Sequence, residues 1–279
     1  MHQFVKYQPN WVSLDGVENM RDLGGLRTDD GRMTRLGRVL RSDSLIGLTT
    51  SDAHVLLESY RVSDVCDLRT NQERAQVGRG PLGAGEQVTF HDLSLYPPDD
   101  PQASTPVWQH DLDSEQVRDI PHAEVMGRHY FGYLRTRPDS ILTALGIIAE
   151  SPGAVVINCA AGKDRTGTMT AVLLGALGVP RATIVADYAA SGQRLRRILA
   201  RMGRAASVGA AQDTTTTQLN EEDLAAVPDE VIANQATPPE AMEILLDLVV
   251  DNYGDMPGYL ATQGWSRADQ QRLEGRLLR

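Results

Sequence analysis

Cys159 and Arg165 share one short segment, Asn158-Cys159-Ala160-Ala161-Gly162-Lys163-Asp164-Arg165-Thr166-Gly167, with five residues between them. A cysteine thiolate attacks phosphorus, and a guanidinium fork matches two phosphate oxygens at once. The five intervening residues suffice for the backbone to curl round one phosphate. Ala160, Ala161 and Gly162 are small enough to bring main-chain N–H groups against it, and Lys163 adds positive charge. Thr166 offers a hydroxyl that stabilises the sulfur as leaving group when a phosphocysteine is hydrolysed. The chemistry that needs this set is two-step hydrolysis of a phosphate monoester, with inorganic phosphate as product. It calls for no metal and no cofactor, because Arg165 and the amides supply the charge stabilisation. A nucleotide phosphate loop does not fit. Gly162-Lys163 is followed by Asp164 where that loop needs Ser or Thr, and Ile157 stands where it needs glycine.

The elements that must hold these residues are readable around them. The apolar run Ala154-Val155-Val156-Ile157 leads in as a buried strand, and Thr168 to Leu177 leads out as a helix. The loop therefore opens a helix, whose unpaired amides and positive dipole end attract an anion and depress a nearby thiol pKa. Val39-Leu40, Val62 to Leu68 and Val88 to Leu93 read as further strands. Thr49 to Ser59, Ala123 to Thr136, Asp139 to Glu150, Arg181 to Met202, Pro238 to Tyr253 and Ser266 to Leu278 read as helices. Tyr130, Phe131 and Leu134 read as core, with ligand contact as the alternative. The alternation predicts an α/β fold: a central, mostly parallel sheet flanked by helices, with the nucleophile at the carboxyl end of a strand. One domain spans residues 1–279. Two polar stretches interrupt it, Pro97 to Pro121 and Gly203 to Pro239, each readable as a mobile surface loop or a lid.

On these residues the chain resembles the bacterial cysteine-dependent protein tyrosine phosphatases of the Cys-x5-Arg superfamily, in the PtpB-like mycobacterial branch. Further marks of that branch are Asn19-Met20-Arg21-Asp22-Leu23-Gly24-Gly25, Arg41-Ser42-Asp43-Ser44-Leu45, and Asp67-Leu68-Arg69 with Glu73 following. Asp187-Tyr188, Ser191 and Gly258-Tyr259-Leu260 complete them. The resemblance implies a phosphatase-type sheet, helical lids, Cys159 as nucleophile and Arg165 as phosphate ligand. It implies a phosphotyrosine protein as substrate, with dual specificity as a variant. Gly162-Lys163 also occurs in lipid-directed members of the superfamily, so a phosphoinositide is the second substrate class; a plain surface lysine is the other reading of Lys163.

Two departures stand out. The family's histidine before the cysteine is Asn158 here, an uncharged residue with hydrogen-bonding groups to offer the loop backbone. The family's acid position, after the strand that follows Asp-Leu-Arg, falls on Leu95. Asp92 and Asp164 are then the two candidates for general acid, with Asp164 favoured because it lies inside the loop; Asp99 and Asp100 stand in reserve. Asp164 otherwise braces the loop through Arg69 or Arg21, and Asp22, Asp43, Asp67 and Arg69 read as supporting ion pairs. Arg194, Arg196, Arg197, Arg201 and Arg204 read as solvated surface or as a greeting for an anionic substrate.

Composition bounds the rest. The chain has 279 residues, 41% of them hydrophobic, enough to bury a sizeable core. Its formal charge of −10 argues against nucleic acid and against a polybasic membrane anchor, and it makes any phosphate site a local positive island. Cys66 and Cys159 are the two cysteines, which is no disulfide scaffold; Cys66 reads as core, with a reversible bridge to Cys159 as the alternative. The histidines lack ligand spacing. No apolar run is long enough for an integral membrane segment, and residues 1–10 lack a signal pattern, so a cytoplasmic location is expected, with signal-independent secretion left open. Two functions follow: a phosphatase, or a catalytically weak phosphatase-like module that binds phosphoproteins.

Overall fold

The computed structural model describes residues 7–97, 119–208 and 218–279. Asp99 and Asp100, with most of the first polar stretch, lie outside the described residues. Six strands form one sheet: β1 Asn10–Trp11, β2 Arg21–Asp22, β3 Val39–Ser42, β4 Val62–Asp67, β5 Thr89–Asp92 and β6 Ala154–Asn158. Their order is β1-β2-β3-β6-β4-β5. β3, β6, β4 and β5 run parallel, whereas β1 and β2 add an antiparallel edge that their two-residue length hid from sequence reading. β6 sits between β3 and β4 and is buried along its whole length. Its Val155 and Ile157 join one core cluster, while Ala154 and Val156 join the other on the opposite face.

The helices are α1 Thr50–Glu58, α2 Asn71–Val77, α3 His122–Thr136, α4 Pro138–Glu150, α5 Asp164–Ala176, α6 Arg181–Ala190 and α7 Leu195–Val208. They continue as α8 Glu221–Ala225, α9 Asp229–Asn234, α10 Pro239–Tyr253, α11 Met256–Thr262 and α12 Arg267–Leu277. α1 shares a core with β3 and β4, through Ala53 and Leu56 against Leu40 and Val65. On the other face α5 is the central helix. Every residue from Thr166 to Leu174 is buried, which is why it shows no polar stripe. α3 packs on α10, α4 on α12, and α11 on α5.

The helix predicted over Arg181 to Met202 is two helices. A 3-10 turn at Ser191–Arg194 separates α6 from α7. Ser191 is held there by Asn19 Nδ2 and Arg21 Nη2, both at 3.2 Å from its Oγ, and this contact beneath the phosphate loop redirects the chain. Of the second polar stretch, residues 203–208 end α7, and residues 218–238 carry α8 and α9. The predicted arginine row is not free surface. Arg196 donates to the carbonyls of Leu224 and Val227, Arg197 to Glu18, and Arg204 pairs with Asp223 at 3.2 Å. These arginines tie α7 to α8, α9 and the Glu18 turn.

Candidate active site

β6 ends at Asn158, and Cys159 follows at the carboxyl edge of the sheet, 2% exposed. Ala160 and Ala161 are half-buried, Gly162 and Lys163 are buried, and Asp164 opens α5. No side chain caps the N-terminus of α5, so its first-turn amides are left to an anion. Gly162 has φ +66°, and a Cβ there would lie 2.5 Å from the backbone of Ser42 and Asp43. Only glycine lets the loop turn against the end of β3.

Two buried side chains hold the loop from below, and a buried carboxylate braces them. Asn19 Nδ2 donates to the carbonyls of Ala161 and Gly162, each at 3.0 Å. Arg41 Nη2 donates to Gly162 O at 2.8 Å. Asp187 binds both cations of this floor, Arg41 and, at 2.8 Å, Arg21, while Tyr7 donates its hydroxyl to the same carboxylate at 2.6 Å. Burial would raise the Asp187 pKa, but the two guanidiniums outweigh it and hold the carboxyl well below the usual range. Arg21 Nη1 in turn donates to Asn19 Oδ1 at 2.7 Å, fixing which way the amide points.

Asp22, Asp43 and the Asp67–Arg69 pair were expected as ion pairs. Arg69 does bind Asp67, at 2.7 Å. Asp43 instead accepts the backbone amides of Glu18 and Asn19, at 3.0 and 3.1 Å, and Asp22 those of Gly24 and Gly37. These segments turn tightly enough that main-chain donors reach the carboxylates before any side-chain cation does. Burial, opposed by those amides, pushes the Asp43 carboxyl up to about 6.

Arg165 is gripped end-on by Glu73, with Nη1 at 2.6 Å and Nη2 at 2.8 Å from its carboxylate oxygens. Glu73 also closes the capping box of α2 by accepting the Thr70 amide at 2.7 Å. Burial would raise Glu73, but Arg165 pulls it below the ordinary glutamate range. The guanidinium lies over the Tyr96 ring, 5.4 Å from its centroid. Burial would also weaken the Arg165 charge, yet Glu73 and the Cys159 sulfur more than offset it.

Of the two acid candidates, Asp164 stands in the loop, with its side chain 18% exposed. It accepts the Tyr130 hydroxyl and lies 3.6 Å from Lys163 Nζ, and neither Arg69 nor Arg21 braces it. Asp92 ends β5 with its side chain 42% exposed and is engaged by Arg79 at 2.8 Å and Arg74 at 3.2 Å. Lys163 is no surface lysine: it is 1% exposed and donates to Gln235 O at 2.7 Å, at the end of α9. Thr166 Oγ1 is buried without a hydrogen-bond partner among the described residues, and so are both polar atoms of Asn158. The loop bracing expected of Asn158 is done by Asn19. Asn19, Arg41 and Glu73 lay inside recognisable motifs without a role that sequence supplied; Tyr130 read as core with ligand contact as the alternative, and Tyr96 and Gln235 gave no signal as site residues.

Comparisons with known proteins identify the family. The family model for the tyrosine phosphatase family matches residues 12–279. The triple specificity protein phosphatase PtpB of Mycobacterium tuberculosis is 28% identical over 283 residues, covering 95% of this chain and 98% of that protein. A tyrosine-protein phosphatase of Nostoc commune is 30% identical over 157 residues, covering 56% of this chain and 49% of its own. A cysteine-arginine loop on a parallel sheet, matched along nearly its whole length, places this chain in the tyrosine phosphatase family.

Proposed function

We propose that this phosphatase hydrolyses phosphotyrosine in proteins through a phosphocysteine on Cys159, with Asp164 as general acid. The observation that carries the reading is the position of Cys159: buried at the sheet's carboxyl edge, before an uncapped helix, beside an Arg165 that Glu73 holds bidentate. Loop amides and Arg165 would bind the phosphoryl oxygens. Sulfur attacks phosphorus in line, the phenolic oxygen leaves with the Asp164 proton, and water then releases phosphate while Thr166 stabilises the departing sulfur. Asp164 is preferred to Asp92 because Asp92 already serves two arginines, Arg74 and Arg79, whereas Asp164 keeps one oxygen free of hydroxyl donors.

Membership of the family favours turnover over a binding-only module. The relative's triple specificity suggests a range wider than phosphotyrosine. Phosphoinositides enter through Lys163, which would have to leave Gln235 to meet a polyanionic headgroup. The test is a panel of phosphopeptides, phosphoinositide vesicles and p-nitrophenyl phosphate. Cys159→Ser should lose at least about a thousandfold in kcat while still binding phosphate, since the amides and Arg165 remain. Substantial turnover by that variant would end the covalent reading. Hydrolysis confined to the vesicles would move the substrate class to lipids.

A further inference from the structure

We propose that Tyr130, backed by Tyr188, is a positioning residue for Asp164: it occupies Oδ1 and reserves Oδ2 for the transferable proton. The inference rests on Asp164 being the general acid.

Tyr130 is 0% exposed and Tyr188 1%. Tyr130 donates its hydroxyl to Asp164 Oδ1. The Tyr130 and Tyr188 oxygens are 2.9 Å apart. A hydroxyl has one proton to donate, and Tyr130 spends it on Asp164. The proton between the two tyrosines therefore belongs to Tyr188, and the chain runs one way, from Tyr188 through Tyr130 to the carboxylate. Burial raises the pKa of both phenols, with the Asp164 charge acting in the same direction, so neither leaves the chain by ionising. The rings are locked edge-to-face at a centroid distance of 5.9 Å, and a Cβ on Gly167 would meet Tyr188 at 2.9 Å, so α5 leaves the pair no room to shift.

A free carboxylate rotates about a broad two-fold torsion, and its oxygens are interchangeable. A donor fixed on one oxygen removes that equivalence. A proton taken up by Asp164 must then sit on Oδ2, the oxygen that faces Lys163 at 3.6 Å and not the tyrosines. In the first step the Sγ–P bond forms and the P–O bond to the phenol breaks. The bonding pair stays on the phenolic oxygen, which takes the Oδ2 proton. Asp164 is left as a carboxylate whose charge Tyr130 already solvates. In the second step Oδ2 accepts a proton from the water that attacks phosphorus, and the sulfur leaves as thiolate. Protons and electrons balance over the cycle.

Several other titratable groups face Asp164: Lys163 from its own segment, His122 and Tyr133 from α3, and Tyr96 after β5. Replacing the Tyr130 hydroxyl leaves all of them in place. Tyr130→Phe keeps the ring and removes the donor that favours the ionised acid. Its alkaline limb of kcat on a phosphotyrosine peptide should move up by roughly one pH unit, with kcat at the optimum falling roughly tenfold and KM unchanged. Turnover of p-nitrophenyl phosphate, whose leaving group needs little help, should stay within about threefold. Adding Tyr130→Phe to Asp164→Asn should change nothing further. Tyr188→Phe, which leaves the direct bond intact, should give a smaller shift in the same direction and carries the test if Tyr130→Phe does not fold. If Asp164→Asn shows leaving-group-dependent loss but neither tyrosine variant moves the limb, Tyr130 only packs and the proposal is wrong while the acid stands. If Asp164→Asn loses equally on both substrates, the acid assignment fails and takes this proposal with it.

Discussion

Asn158 is the residue whose surroundings differ most from what its type suggests. It is 1% exposed, and neither Nδ2 nor Oδ1 has a partner among the described residues. A buried amide left unpaired costs about 1–3 kcal/mol. Asn158→Leu, with the same number and branching of side-chain heavy atoms, should therefore raise the urea midpoint by an amount equivalent to about 1–3 kcal/mol, with phosphatase activity judged separately on p-nitrophenyl phosphate. No gain in stability would mean that the amide is satisfied by something other than protein. The Thr166 hydroxyl is likewise without a partner among the described residues; in the proposed mechanism the departing sulfur is its partner, and Asn158 is given no such role.

At the scale of elements, the phosphate loop is shaped by the end of β3. Gly162→Ala combines a left-handed φ with a Cβ 2.5 Å from the Ser42 and Asp43 backbone. The φ alone costs about 1–2 kcal/mol, and relieving the overlap adds about 1–3 kcal/mol. The variant should melt several degrees lower and lose most of its turnover; wild-type kinetics would show that the loop shape is not needed. The loop itself was legible in the sequence, because an apolar run, small residues and a helix onset all agree within one window. So was β6, whose continuous apolar run Ala154 to Ile157 marks burial on both faces. What was hidden depends on contacts distant in sequence. The break between α6 and α7 follows from Ser191 being claimed by Asn19 and Arg21, which no local pattern displays. Glu73 stood in the sequence only as a mark after Asp67-Leu68-Arg69, because its grip on Arg165 spans 92 residues. Asp22 and Asp43 were misread as ion-pair partners because sequence does not show which amides a turn will aim at a carboxylate.

For the whole molecule, two buried carboxylates set opposite pH trends. Asp43 has its folded pKa raised from 3.8 to about 6, so the folded state holds the proton more tightly. Its contribution is full below the unfolded value near 3.8 and is lost as pH rises through 6. Asp187 is depressed, so its contribution is present above the unfolded value and is lost only in stronger acid. Between about pH 4 and 7 the Asp43 term dominates, at about 3 kcal/mol from the 1.36 kcal/mol per unit relation. Unfolding free energies of wild type and Asp43→Asn, measured across that range, should diverge by this amount; parallel curves would mean Asp43 is ionised throughout. The floor under the phosphate loop has a consequence for how the protein is made. Arg21 and Asp187 lie 166 residues apart in the chain, and both are needed to hold Asn19 and Arg41 against the loop. A ribosome delivers residues in order, at about 5–20 per second. Cys159 and Arg165 thus emerge well before the helix that completes their support. The nascent chain carries its nucleophile through part of synthesis without the floor that shapes the phosphate site, and that floor is complete only once the stretch to Ser191 has been made.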